Sequence, residues 1–145
     1  MPNNIVKELN QLLSDYQMYY QNLRGFHWNI RGRQFFELHV KFEELYNDAA
    51  IKIDEVAERI LTLKETPLHS FTDYISTSKL EQLTNISDGE SCVRSIVSNL
   101  NHLVEIQKNI RKLAENDDDQ ATADQLATYI EEQEKTLWMY NSWLD

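Results

Sequence analysis

The chain has 145 residues, with 14 basic and 24 acidic side chains, a formal net charge of −10 and one cysteine. That charge disfavours general nucleic-acid binding, which needs cations to displace the counterions on phosphates. The lone Cys92 rules out an internal disulfide framework and fits a reducing compartment. No apolar run reaches membrane-spanning length, so the expectation is one cytoplasmic domain over residues 1–145.

Gly and Pro number only three and two, which permits long uninterrupted helices. A first amphipathic helix is read from the stripe Ile5, Leu9, Leu12, Tyr16, Tyr19, Leu23 and Phe26. "RGRQ", with Gly32, is a short turn that makes the next helix an antiparallel neighbour. The second helix carries Phe35, Leu38, Phe42, Leu45, Ala49, Ile53, Val56, Ile60 and Leu63. A connection from about Lys64 to Asp88 follows, with Pro67 and one short helical turn at Phe71, Tyr74 and Ile75. Some 25 residues can span a helix about 45 Å long, so the second and third helices can run parallel. "SDGE", Ser87 to Glu90, reads as a capping box opening the third helix. That helix shows Val93, Ile96, Leu100, Leu103, Ile110 and Ala114, interrupted by Gln107. After "ENDDDQATADQ" the fourth shows Leu126, Ile130, Leu137, Tyr140 and Leu144, interrupted by Gln133. The reading is all-α: a four-helix bundle with one long crossover between helices two and three, which is the ferritin-like arrangement.

A second, polar stripe flanks the apolar one. His27 follows Phe26, His39 follows Leu38, Glu43 follows Phe42 and Asp54 follows Ile53. Glu58 lies four residues after Asp54 and shares its face. Imidazole beside carboxylate suits a first-row divalent metal, non-haem iron above all. Glu44, Glu55 and Arg59 read as a solvated face. His69 lies in the Pro-containing crossover, and His102 on the third helix has no carboxylate partner at metal-ligand spacing, so neither is read as a ligand. His39 and Asp54 are fifteen residues apart, about 22 Å along a helix, so one copy of the second helix cannot close a site. Nor does the chain contain Glu-x-x-His, which single-chain di-iron bundles use. An antiparallel second copy solves this. The pairs 39/58 and 43/54 both sum to 97, which centres a two-fold axis at Asp48/Ala49, where Ala49 and Ala50 permit close approach.

The segments "NLRGFHWNIRG", "FFELHVKFEELY", "IDEVAERI" and "EKTLWMYNSWL" resemble the Dps family of mini-ferritins across helices one, two and four. The resemblance implies an inter-subunit ferroxidase centre, with His27 and His39 from one subunit and Asp54 and Glu58 from its two-fold mate. Where the family often has Asp, four residues after the second His, this chain has Glu43, one methylene longer, which affects a second iron position. Also implied are a hollow shell of twelve subunits storing a ferric mineral, and Fe(II) oxidation by hydrogen peroxide in preference to oxygen. Acid-lined three-fold pores are implied near the start of helix four, where Asp119 and Asp124 match best and Asp117 and Asp118 are adjacent. Many relatives bind DNA through a basic tail, but "MPNNIVKELN" has only Lys7. Twelve subunits at −10 would carry a formal −120, so DNA binding is not expected. Two alternatives stay open on the residues alone: zinc held by the same donors without redox chemistry, and a helical oligomer whose His/acid flank is an ordinary polar interface.

Overall fold

A computed structural model describes residues 2–145, with side chains from Asn4 onward. It contains α1 (Pro2–Asn29), α2 (Phe35–Thr62), α3 (Phe71–Thr77), α4 (Gly89–Asn116) and α5 (Gln120–Leu144). The four long helices are those read from the sequence, and α3 is the short helix of the crossover.

The apolar stripes explain the packing. All seven stripe residues of α1 are buried, as are Val93, Ile96, Leu100, Leu103, Ile110 and Ala114 of α4. They form one core together with Leu38, Phe42, Ala49, Val56 and Ile60 of α2 and Leu126, Tyr129 and Tyr140 of α5. α1 packs on α2, α4 on α5, and α1 on α4. The chain direction is fixed at both ends. Arg31 N–H donates to the Ser87 carbonyl at 2.8 Å, which sets the start of α2 beside the start of α4. At the other end the Arg59 guanidinium reaches Asp119 at 2.9 Å, which sets the end of α2 beside the start of α5. So α2 and α4 run parallel, as the length of the crossover predicts.

Gln107 and Gln133, which interrupt the two C-terminal stripes, are both buried. They close a ring with Tyr16. Tyr16 Oη donates to Gln107 Oε1, Gln107 Nε2 donates to Gln133 Oε1 at 2.7 Å, and Gln133 Nε2 donates to Tyr16 Oη at 2.7 Å. Each interruption is therefore satisfied by the other two members, which removes most of the cost of burying amides.

Polar side chains of α1 hold the crossover. Asn10 accepts from Leu68 N–H at 2.9 Å, and Asn22 accepts from Leu83 N–H and donates to the Glu81 carbonyl, each at 3.0 Å. Between them the fully buried Asp15 accepts from Ser78 Oγ at 2.8 Å and Lys79 N–H at 2.7 Å. Two local readings are corrected. The α4 cap is not a Ser87–Glu90 box: Asp88 is the N-cap, accepting from Ser91 N–H at 2.9 Å, and these bonds hold its carboxyl below its ordinary value. Ser87 is drawn instead to Arg31 through its carbonyl. The Glu55/Arg59 face is not merely solvated. Glu55 accepts from Tyr129 Oη at 2.6 Å, and Arg59 bonds Thr122 and Asp119, so this face is the polar seam to α5. Cys92 is buried, and burial pushes its thiol up to about 12, which makes it inert.

Candidate metal centre

The α1–α2 turn builds the first half of the site. Gly32 takes φ +113, a left-handed conformation that favours glycine and reverses the chain between Asn29 and Phe35. Phe26 and Leu38 enter the core on facing helices, so the residues that follow them, His27 and His39, emerge side by side at its edge. Their imidazoles stack with centroids 3.7 Å apart and planes 12° from parallel. Phe35 stacks on His39 at 4.8 Å, and Tyr46 meets the His27 ring edge-on at 5.3 Å.

The hydrogen bonds of the pair are reciprocal. His27 Nδ1 lies 2.6 Å from the His39 carbonyl oxygen, and His39 Nδ1 lies 2.7 Å from the His27 carbonyl oxygen. A carbonyl only accepts, so each Nδ1 is a donor. In the neutral rings each Nε2 is then left with a lone pair, the tautomer a metal ligand needs. The Glu43 carboxylate stands 3.6 Å from His27 Nε2, beyond ordinary hydrogen-bond length, with its side chain half exposed.

Asp54 and Glu58 lie farther along α2 with exposed side chains. Among the described residues no three His, Cys, Asp or Glu side chains approach closely enough to hold a metal ion. One chain thus stacks His27 on His39 and sets Glu43 3.6 Å from His27, but does not gather the three into a metal-holding set, and Asp54 and Glu58 lie apart from them. At about 100° per residue, His39, Glu43, Ala50, Asp54 and Glu58 occupy an arc of roughly 100° on α2. Phe36, Val40 and Leu61 share that outer sector, Ile51 borders it, and all four are more than half exposed. Ala49 does not belong there: it is 1 % exposed, packed in the core of its own subunit, which leaves Ala50 as the small residue on the outer face.

Residues 6–145 match the family described as ferritin-like domain. The chain is 39% identical to the DNA protection during starvation protein of Porphyromonas gingivalis over 139 residues, 96% of this chain and 87% of that one. It is 36% identical to DNA protection during starvation protein 2 of Bacillus anthracis, over all of this chain and 99% of that one. The crystal structure of a DPS protein from Vibrio cholerae O1 superposes with a TM-score of 0.98 at 45% identity, covering 99% of this chain and 91% of the other. That protein is described as a member of a superfamily of ferritin-like diiron-carboxylate proteins. The chain belongs to the Dps family.

The remaining predicted residues of this Dps-family chain sit at the α4–α5 turn. Asp119 is the N-cap of α5, accepting from Thr122 N–H at 3.1 Å and pairing with Arg59. Burial pushes its carboxyl up, but the bonds from Thr122 and Arg59 outweigh that and hold it below its ordinary value. Asp124 is exposed and accepts from Gln120 Nε2 at 2.7 Å. Asp117 and Asp118 form the turn itself, Asp118 with φ 58. Three residues were not visible as partners in sequence. Phe35 and Tyr46 frame the histidine pair, and only the i, i+4 and i, i+7 spacings of Phe35 and Tyr46 from His39 hinted at it. Asp15 pairs with His102 Nε2 at 2.7 Å across 87 residues, so His102 does have a carboxylate, supplied by another helix.

Proposed function

We propose that this protein sequesters iron as a ferroxidase: it oxidises Fe(II), preferentially with hydrogen peroxide, and stores the ferric product in a hollow cytoplasmic shell of twelve subunits. Family membership supports the iron-handling role. The observation that carries the site assignment is the stacked histidine pair whose Nδ1 atoms are both committed to backbone carbonyls, which leaves the Nε2 lone pairs for a ligand, on a flank whose acids its own chain cannot deliver. In this reading His27, His39 and Glu43 of one subunit face Asp54 and Glu58 of a two-fold partner, giving two identical sites per dimer.

Fe(II) is the substrate. The His27 and His39 lone pairs and the carboxylates bind it, and the anionic oxygens favour the higher charge of Fe(III). Two Fe(II), one H2O2 and two protons give two Fe(III) and two H2O, so both peroxide electrons are supplied together and no hydroxyl radical is released. The reciprocal Nδ1–carbonyl bonds keep the imidazoles in place without spending the nitrogens that bind. Asp119 and Asp124 are assigned to the iron entry pores, and the −10 charge per subunit opposes DNA binding.

The test is complementation. His27→Ala with His39→Ala in one chain, and Asp54→Ala with Glu58→Ala in another, should each abolish rapid peroxide-driven oxidation of anaerobically loaded Fe(II). Refolded together at equal amounts, about half the dimers are mixed and each regains one of its two sites, so roughly a quarter of the wild-type sites return. Oxidation unchanged in the single variants would remove the ferroxidase assignment, and failure to recover on mixing would remove the shared site. Zinc binding without redox chemistry predicts no rapid oxidation at all. Sedimentation as a 17.2 kDa monomer would refute the shell.

A further inference from the structure

We infer that the hydroxyls of Tyr19 and Tyr140, with the Asp48 carboxylate, form a holding site for a single Fe(III) ion in the seam between α2 and α5. The inference rests on the ferroxidase reading above, which supplies the ion.

The α2–α5 seam is a row of polar pairs. Arg59 meets Asp119 at one end, Tyr129 donates to Glu55 farther along, and Lys52 Nζ lies 2.7 Å from Asp48 and 2.8 Å from Glu132. Beyond Lys52 the seam opens into a cavity of about 300 Å³, whose polar lining includes Tyr19, Glu44, Asp48, Glu132, Thr136 and Tyr140. Lys41 stands at its rim and pairs with Glu44 at 3.2 Å.

Two phenols reach this cavity from inside the bundle. Tyr140 is only 8 % exposed, and its hydroxyl is buried without a hydrogen-bond partner among the described residues. Tyr19, 3 % exposed, lines the same cavity from α1. A buried hydroxyl left unmatched costs free energy, so the cavity suits an occupant that bonds it. The carboxylates give that occupant its charge. Lys52 takes Asp48 through Oδ2 and Glu132 through Oε1, so each keeps its second oxygen out of that pair. Their side chains are about half exposed, which lets an ion approach from solvent. Carboxylates alone do not make the site, since no three acids or histidines gather closely enough among the described residues. The phenol oxygens supply the missing donors.

The same phenols select the ion. Burial pushes both up, and nearby charge pushes them further, Tyr140 and Asp48 acting on Tyr19 and Glu44 on Tyr140. They therefore stay neutral beside a weakly polarising ion. A strongly charged ion bound to the oxygen displaces the proton, and the pull rises with its charge. Fe(III) meets that condition better than Fe(II) or Mg(II). Fe(III) and two phenols give a ferric bis(phenolate) and two protons, and no electron moves.

The experiment adds Fe(III) nitrilotriacetate, at less than one ion per subunit, to the assembled protein. The expected result is a visible phenolate-to-iron charge-transfer band, with resonance Raman modes that shift when the protein contains ring-deuterated tyrosine. The band should be lost in Tyr140→Phe and in Tyr19→Phe, and kept in Tyr129→Phe, whose hydroxyl is committed to Glu55. Tyr140→Phe removes a hydroxyl that holds nothing else in the fold. No band in the parent, as expected of a cavity that holds water only, overturns the inference, and so does a band that survives both substitutions. Ga(III) tests the unsubstituted chain without any redox chemistry. It should produce the ultraviolet difference spectrum of tyrosine ionisation, and Mg(II) should not; an equal response to Mg(II) overturns the selection of Fe(III). Because the iron is added already oxidised, the band should persist in His27→Ala with His39→Ala. If those variants still oxidise Fe(II) at the parent rate, the ferroxidase reading falls. If oxidation depends on them but added Fe(III) gives no band, only the tyrosine site falls.

Discussion

Two histidine environments in this molecule use the same side chain in opposite ways. At the α1–α2 edge, His27 and His39 bond through Nδ1 to each other's backbone carbonyl and leave Nε2 out of those bonds. On α4, His102 uses Nε2 itself, on the buried carboxylate of Asp15 at 2.7 Å. That carboxylate also holds Ser78 and Lys79 of the crossover. His102 is thus consumed within the chain as one bond in a structural anchor. The pair at the edge keeps its most useful atoms for something the chain does not supply. The lesson is that a histidine's neighbours in sequence say less than which nitrogen the fold has already occupied.

The contrast can be broken most strongly by moving alanine between the two environments. His27→Ala or His39→Ala should slow peroxide-driven Fe(II) oxidation by on the order of 100-fold or more, since even partners that only orient metal ligands cost about 10–100-fold. His102→Ala should leave the rate within about twofold. Stopped-flow ferric absorbance measures both, and a comparable loss in His102→Ala would erase the distinction. Asp15→Ala sharpens it from the structural side. It leaves the Lys79 N–H and the Ser78 hydroxyl without their acceptor, so chemical denaturation should show a loss of roughly 3 kcal/mol. The folded fraction should still oxidise iron. Asp119→Ala should cost about 1 kcal/mol through loss of the α5 cap. A carboxyl held below its unfolded value stabilises the fold above that value, and the contribution disappears as pH falls through the lowered folded one. Between neutrality and about pH 3 the stability difference between parent and Asp119→Ala should therefore shrink. A difference that stays constant through that range would show that the Asp119 charge contributes nothing.

Much of the fold was legible because its signal is local. Stripes such as Ile5 to Phe26 repeat at helical period, and every member of that one is buried. Gly32 marks the turn, and the length of the crossover sets the parallel course of α2 and α4. Cap position was misread at Ser87 because Asp88, one residue on, is an equally good acceptor, and it is Asp88 that caps the helix. The Glu55/Arg59 face looked solvated because its partners, Tyr129, Thr122 and Asp119, lie about 60 to 75 residues away. Ala49 was placed on the outer face by a register argument that could not see how α2 is rotated against its own core.

By itself the sequence determined the four long helices, the short crossover helix, the nearness of His27 to His39, and the fact that Asp54 and Glu58 cannot reach them along one helix. These follow from helical rise and period, which act over neighbouring residues. Only the tertiary structure decided which nitrogen of each histidine stays available, that Tyr46 and Phe35 frame the pair, that Gln107 and Gln133 satisfy Tyr16 in a closed ring, and that His102 belongs to Asp15. Those outcomes depend on the rotation and separation of helices packed against one another, and nearest-neighbour spacing in the chain carries no information about either.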